Sequence, residues 1–383
     1  LCSAQDDRRS RREYLALVLN MSLSRNNPEL LGTEPVGKLL MRYALPAIIA
    51  MSSSSLYHII ARIFIGHGVG PMAIAGVGIT LPLMNISSAF GSMVVVGASS
   101  LISIRLGQGN KARAFLILSN ALMLNIVLGV SLCIVCMIFL DPLLYLLGAS
   151  EATIPYARDF MRIILFANVI THLYLCLNEI LRASGYPKKS MLIMITAVAV
   201  NCALNPLFIF VFGWGVKGSA LATVCAQSTA LVLEATHFFN KKHFLYIKKG
   251  TFRFMGVIVR KVLTIGLAPF LVNACASVVV IFINMALKEY GGDVSVGAYS
   301  VVNGVLMLFV MIIAGLNQGM QPIVGYNFGA RQFPRVLKAL KYTILCGMAI
   351  STLGFIVCHV FPEGVARLFI DLEKDPENSM QLF

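Results

Sequence analysis

The side chains with chemistry to offer in this chain are amides, hydroxyls and a few acids set inside long apolar stretches. Asn201 and Asn205 stand four residues apart, so one helix face carries both. Asn178 and Thr223 are the nearest candidates to meet them from other stretches. Tyr57, Asn85, Asn168, Thr171, His172 and Gln227 are further polar groups of the same kind. In apolar surroundings such groups either bond helix to helix or line a cavity that holds a ligand. Both readings stay open, and the concentration of these groups before residue 240 favours a cavity. Among the acids, Glu179 follows Asn178 and could face the same cavity or serve a structural role. Asp159 has Arg158 and Arg162 as neighbours, while Glu234 stands near enough to the end of its apolar run to snorkel to water.

Catalysis finds no support. Cys133 and Cys136 have CxxC spacing, but they sit in a leucine-rich run with no nearby histidine or second pair, so packing is the reading. The stretch Gly66-His67-Gly68-Val69-Gly70 follows an apolar helix rather than a strand and lacks the lysine of a phosphate loop. No Ser/His/Asp or metal-ligand set emerges, so the chain is not expected to be an enzyme or to carry a metal or organic cofactor.

The elements that must position the amides are apolar runs of about 20 residues or more, the length that crosses a bilayer. The chain is 58% hydrophobic and only 13% charged, below the charged share of an ordinary soluble domain. Nine helical spans are predicted, at 42–66, 75–104, 114–140, 156–181, 190–213, 218–239, 261–287, 295–324 and 339–361. Several are long enough to tilt or bend, and Pro46, Pro82, Pro206, Pro269 and Pro322 are the expected places.

A formal net charge of +14 would suggest nucleic-acid binding in a soluble domain, but its distribution here argues against that. Arg105, Lys111 and Arg113; Arg182, Lys188 and Lys189; Lys241, Lys242, Lys248, Lys249, Arg253, Arg260 and Lys261; and Arg331, Arg335, Lys338 and Lys341 all follow even-numbered spans. The other connections hold few basic residues, chiefly Arg62, Lys217 and Lys288. This asymmetry places the basic loops and the N-terminus in the cytoplasm.

One pattern occurs twice, about 222 residues apart. The first copy runs from Pro46 through Gly97-Ala98 to Gly107-Gln108-Gly109, and the second from Pro269 through Gly319-Met320 to Gly329-Ala330. Six spans separate the copies, so they are parallel repeats related by an axis along the membrane normal, an arrangement that recurs in transporters. The paired glycines are expected to permit close helix packing rather than to touch a ligand. The resulting division is a cytoplasmic tail at 1–37; a six-helix N-lobe at 38–239; a basic linker at 240–260; a partial C-lobe at 261–361; and an external loop at 362–383. The linker would lie on anionic headgroups or be solvated. Met21 is a candidate start, which would make 1–20 upstream sequence, and three further spans are expected beyond Phe383.

Four stretches carry a resemblance. They are Leu56-Tyr57-His58-Ile59-Ile60-Ala61-Arg62-Ile63-Phe64-Ile65-Gly66, Leu181-Arg182-Ala183-Ser184-Gly185-Tyr186-Pro187, and Val200-Asn201-Cys202-Ala203-Leu204-Asn205-Pro206, with the strongest at Gly315-Leu316-Asn317-Gln318-Gly319-Met320-Gln321-Pro322-Ile323-Val324-Gly325-Tyr326-Asn327-Phe328-Gly329-Ala330. Over roughly 33–370 the chain resembles the multidrug and toxic compound extrusion (MATE) transporters, bacterial type. The resemblance implies an all-α polytopic membrane protein with a two-lobe parallel-repeat transporter fold, six helices in the N-lobe and three of the C-lobe present. It also implies a monomer in the cell inner or plasma membrane that contacts membrane lipid and exports amphipathic, mostly cationic, drug-like molecules in exchange for protons or sodium ions.

Two departures bear on that exchange. Family members typically carry Asp where this chain has Ala61, and another where it has Asn205. Alanine neither titrates nor ligates, and asparagine offers only a neutral carbonyl, so first-lobe cation coupling is expected to be weakened, absent or moved elsewhere. Tyr57, Asn178, Asn201 and Thr223 carry over as a neutral rim, and Glu179 is the candidate substitute acid. A coupling-deficient or non-transporting relic is the alternative. A second is a flippase for lipid-linked saccharides, against which the scarcity of Lys and Arg in the central spans counts.

Overall fold

A computed structural model describes residues 28–248 and 250–360. A short turn of helix, α1 (Leu30–Thr33), leads into α2 (Val36–Gly68), α3 (Pro71–Gly107) and α4 (Lys111–Ile138). A two-turn α5 (Leu140–Leu146) precedes α6 (Ile154–Phe166) and α7 (Asn168–Ala183), which together form one span bent by 53°. Next come α8 (Pro187–Pro206), α9 (Gly215–Phe239), α10 (Gly256–Gly329) and α11 (Phe333–Val360). Among the described residues seven helices are long and apolar enough to cross a membrane, and the bent pair makes an eighth.

The large bend is not at a proline. It falls at Ala167–Asn168, where polar side chains in the first turn of α7 bond to two different neighbouring helices. Asn168 accepts from the Ser87 hydroxyl at 2.9 Å, and the Thr171 hydroxyl donates to Gln227 Oε1 on α9 at 2.6 Å. Of the expected proline sites, Pro206 is followed by a π-helical turn over Leu207–Val211.

The 74-residue run of α10 covers what was predicted as two spans with a break at 288–294. Straight, it would extend about 110 Å at 1.5 Å per residue, far more than a bilayer. Its two ends nevertheless pack on the same stretch of α3: Val262 and Gly266 lie against Gly97 and Met93, and Tyr326 and Gly329 against Gly107 and Ile104. The run therefore doubles back on itself, as two spans must.

Those contacts also repeat with the sequence. Gly97 lies against Gly266, and the equivalent pair 222 residues on and back, Gly319 and Ala44, is in contact too. Gly107 meets Tyr326, and the equivalent pair, Gly329 and Ile104, also meets. Gln321 bonds to Ser99, its own counterpart in the other copy. Only residues beside a two-fold axis can touch their own equivalents, so an approximate axis runs between α3 and the second arm of α10.

The linker after α9 is tied to α4 at several points, with many of its described residues exposed between them. Asn120 of α4 donates to the Arg253 carbonyl at 3.0 Å and accepts from the Met255 N–H at 2.8 Å, while the hydroxyls of Ser119 and Thr251 meet at 2.5 Å. Lys111 covers the ring of Phe244 at 3.8 Å, and Tyr246 packs edge-on against Phe115. Phe252 and Phe254 remain exposed.

A polar cavity and a glycine seam as the candidate functional site

A cavity of about 270 Å³ opens among α2, α3, α6, α7 and α9. Ala61 and Ile65 in the last turns of α2, Val77 near the start of α3, and Ser219 near the start of α9 put it in the half of the bundle away from the basic loops. Its walls are apolar (Leu81, Met84, Phe160, Met161) with hydroxyls and amides interspersed. Ser87, Asn168 and His172 form one polar group, with Ser87 Oγ 3.4 Å from His172 Nε2. Thr171 and Gln227 form another. Arg62 is the one charged residue on the wall, and no carboxylate lines it among the described residues.

A smaller recess of about 20 Å³ shares Ser54, Tyr174, Thr223 and Gln227 with the cavity and adds Asn201. Asn201 donates to Thr223 Oγ1 at 3.2 Å, so these two predicted residues do meet. Asn205 stands behind them, fully buried, and its amide nitrogen donates to Asn201 Oδ1 at 2.7 Å. An aspartate could not make that donation. The side chain of Tyr57 lies outside the described residues.

The remaining predicted residues go elsewhere. Asn178 is absent from the cavity wall; its nitrogen donates to Glu234 at 2.8 Å, and its carbonyl accepts from Ser190 at 2.7 Å. Glu179 is turned from the cavity as well, with Oε2 3.4 Å from Arg182 Nη2. Glu234 does not snorkel: it is fully buried, because α7 and α8 close over the last turns of α9. Asp159 pairs with Lys217 at 3.3 Å, whereas Arg158 reaches back to Asp141 at 2.7 Å. Along the sequence Arg158 and Arg162 were the candidate partners of Asp159, since the approach of α5 and α9 to α6 is set only by packing. Cys133 and Cys136 pack in an apolar cluster with Leu144 and Leu165.

The C-terminal motif builds a seam rather than a pocket. A methyl at Gly319 would fall on the Ala44 backbone, and one at Gly329 on the Ile104 carbonyl. Gln321 donates to Ser100 Oγ at 2.7 Å, Ser99 Oγ at 2.9 Å and the Val96 carbonyl at 3.2 Å. Gln318 accepts from Arg182 Nη1. Pro322 lies in the same helical arm, one turn from the fully buried Asn327. Arg335 completes the seam, donating to Asn327 Oδ1 at 2.8 Å and to the Glu34 carbonyl at 2.6 Å.

One family model, MatE, matches in two pieces, residues 46–207 and 269–375. The chain belongs to the MatE family. The two matched pieces open at Pro46 and Pro269, where the two sequence copies open. Among MatE relatives, the multidrug export protein MepA of Staphylococcus haemolyticus is 26% identical over 340 residues, 89% of this chain and 74% of the relative. MepA of Staphylococcus aureus is 26% identical over 334 residues, 85% of this chain and 74% of its own. A solved multidrug resistance MATE transporter in an outward-facing conformation superimposes with a TM-score of 0.85 at 27% identity, over 93% of this chain and 78% of that one. A Pyrococcus furiosus transporter described as having a binding pocket of reverse polarity gives 0.84 at 27% identity, over 89% and 75%. The MatE fold, the membrane-spanning helices and a transporter rather than an enzyme follow from these matches.

Proposed function

We propose that this chain carries amphipathic small molecules out of the cell by alternating access, with the first-repeat cavity as the substrate site. The observation that carries the reading is the pairing of a polar-dotted apolar cavity at one end with a glycine-packed seam closing the other. With the basic loops in the cytoplasm, that seam is the inner gate and the conformer is closed to the inside. The mixed lining suits large apolar molecules held by a few hydrogen bonds, and it sets no strict shape. The MepA relatives, named as multidrug export proteins, support the same reading.

Exchange with a cation is part of the proposal, and its first-repeat form differs from the family pattern. Ala61 lies on the cavity wall with nothing to ligate, and the Asn205 amide is engaged with Asn201. A relic without transport or a saccharide-lipid flippase would show a different outcome in one assay. Inverted vesicles containing the chain, energised by a proton gradient, should accumulate ethidium. Silence with ethidium and other drug-like dyes refutes the export reading, and movement of a lipid-linked saccharide instead would select the flippase.

One observation favours a second reading of the substrate. A cavity whose one charged wall residue among those described is Arg62 does not discriminate in favour of cations. Neutral or anionic amphiphiles would then be carried as well as ethidium, and Arg62→Gln should depress export of an anionic dye while sparing ethidium. Equal loss of both dyes would refute a role for the Arg62 charge.

A further inference from the structure

We propose that Glu234 is a proton-binding site, distinct in helix and in depth from positions 61 and 205, and that its protonation state governs the Arg182–Gln318 contact across the seam. Glu234 is fully buried in the last turns of α9. Its Oε1 accepts from Asn178 at 2.8 Å, and its Oε2 is buried with no partner among the described residues. Glu34 and Glu179 also have one buried oxygen without a partner, but each has a cation beside it, Arg42 and Arg182; Asp141 has Arg158, Asp159 has Lys217, and the exposed Glu151 accepts from Tyr145. A buried carboxylate with no cation beside it is costly as an anion and takes up a proton instead.

Charged and titratable groups surround it on several elements. Helix α7 contributes Cys176, Glu179 and Arg182, with Glu179 already opposite Arg182. Helix α8 contributes Ser190, bonded to Asn178, and Lys189, which donates to His237 Nδ1 at 3.0 Å. On α9 itself His237 is one turn on, stacked with His243 of the linker at 3.7 Å between ring centres. Of the α2 cations at this end, Lys38 is exposed and Arg42 is held by Glu34; on α6, Asp159 and Arg158 pair at the far end with Lys217 and Asp141, and Arg162 is exposed. No cation among these is within ion-pair distance of Glu234.

Arg182 reaches it through one intermediary. Asn178 Oδ1 lies 3.4 Å from Arg182 Nη2, and Arg182 Nη1 donates to Gln318 in the second repeat. With Glu234 neutral, Arg182 is free to hold Gln318, which is the arrangement seen. When Oε2 releases its proton to water at the basic end, the new anion draws Arg182 towards Asn178 and slackens its hold on Gln318. Proton binding at Glu234 thus favours the closed seam. The use of that switch in transport rests on the exporter reading; the proton site does not.

The test is made on the full chain in lipid. Infrared difference spectra recorded across a pH titration should contain the carbonyl stretch of a protonated carboxylic acid that disappears on titration. Glu234→Gln should remove that band, Glu179→Gln should leave it, and Glu234→Asp should retain it at a shifted midpoint. In energised inverted vesicles Glu234→Gln should lose proton-driven ethidium accumulation, and Glu234→Asp should keep it with a displaced pH profile. A band that survives Glu234→Gln, or Glu234→Gln export with the wild-type pH profile, overturns the proposal. If Glu234→Gln does not fold, an unshifted band in Glu234→Asp overturns it equally. If the band behaves as expected and the wild type exports nothing, the exporter reading falls and the proton site stands.

Discussion

Gly319→Ala, compared with its repeat equivalent Gly97→Ala, is the sharpest probe of the seam. The added methyl at 319 would overlap the Ala44 backbone and stand 2.8 Å from the Tyr43 carbonyl carbon. At 97 it would overlap Val262 and stand 3.2 Å from the Gly266 nitrogen. Carbon atoms in contact sit about 3.5–4.0 Å apart, so each change pushes two helices apart by roughly 1 Å. Two residues from Gly319, Gln321 makes its three bonds at 2.7, 2.9 and 3.2 Å. Those bonds run to α3 rather than to α2, so they hold the arm against α3 while the clash displaces it from α2. Overpacking of this kind costs about 1–3 kcal/mol, and neither helix can respond with a rotamer, because the obstacle is backbone. A conformer without the seam does not bear this cost, so the closed population should fall by about 5- to 150-fold. The assay is the rate of thiol alkylation at Ser103→Cys, read by peptide mass spectrometry. Ser103 is 1% exposed and packs on Gly325, so labelling requires the seam to part. Labelling should accelerate in both glycine variants and approach the rate of a freely exposed cysteine. Unchanged labelling in variants that retain the wild-type thermal midpoint would refute the two-fold seam as the inner gate.

Three further outcomes follow from the same geometry. Asn205→Asp removes the donor to Asn201 and buries a carboxylate, so the variant should melt lower than wild type at neutral pH and regain stability on acidification or with added sodium; a midpoint indifferent to both would count against it. Asn120→Ala removes both bonds that hold the linker at Arg253 and Met255, and limited proteolysis should then cut within 240–255 at least several-fold faster; equal rates would show that the Lys111–Phe244 and Phe115–Tyr246 contacts suffice. Burial, aided by the charge of Lys189, holds His243 below the ordinary histidine value. The undocked linker therefore binds a proton more readily than the docked one, and docking is at full strength above about pH 6.5 and weakens as pH falls below it. Hydrogen exchange in 240–248, corrected for intrinsic rates, should rise on acidification in wild type and not in His243→Phe.

Much of the architecture was legible before any coordinates. Bilayer length and charge asymmetry are one-dimensional properties, so each of the nine predicted spans falls on a described helix or bent pair, two of them within α10. The 222-residue repeat was legible for the same reason, since glycine positions survive wherever two backbones must touch. Asn201 does donate to Thr223, the neighbour that one helix face and the following span offer. The amide cluster proved to contain both of the roles left open. Asn168, Thr171 and Gln227 line the cavity, whereas Asn178 and Asn205 tie side chains together away from it.

What misled was direction. Asn178 and Asn201 are alike in sequence context, yet one faces Glu234 under α8 and the other a recess shared with Tyr174. Glu234 was placed in water because its distance from the helix end, measured along the chain, allowed it. Burial depends on what neighbouring helices cover, and the closure of α7 and α8 over that turn is a packing result. The bend at Asn168 and the docking of the linker on Asn120 were hidden likewise, each being set by partners 39 to 135 positions away along the chain. Composition, periodicity and repetition determined that this is a helical membrane protein carrying one pattern twice, and the motif stretches carried its resemblance to a transporter family. Only the tertiary structure decided that the repeated glycines meet across an axis and that one carboxylate is enclosed without a cation, because both facts depend on which faces touch.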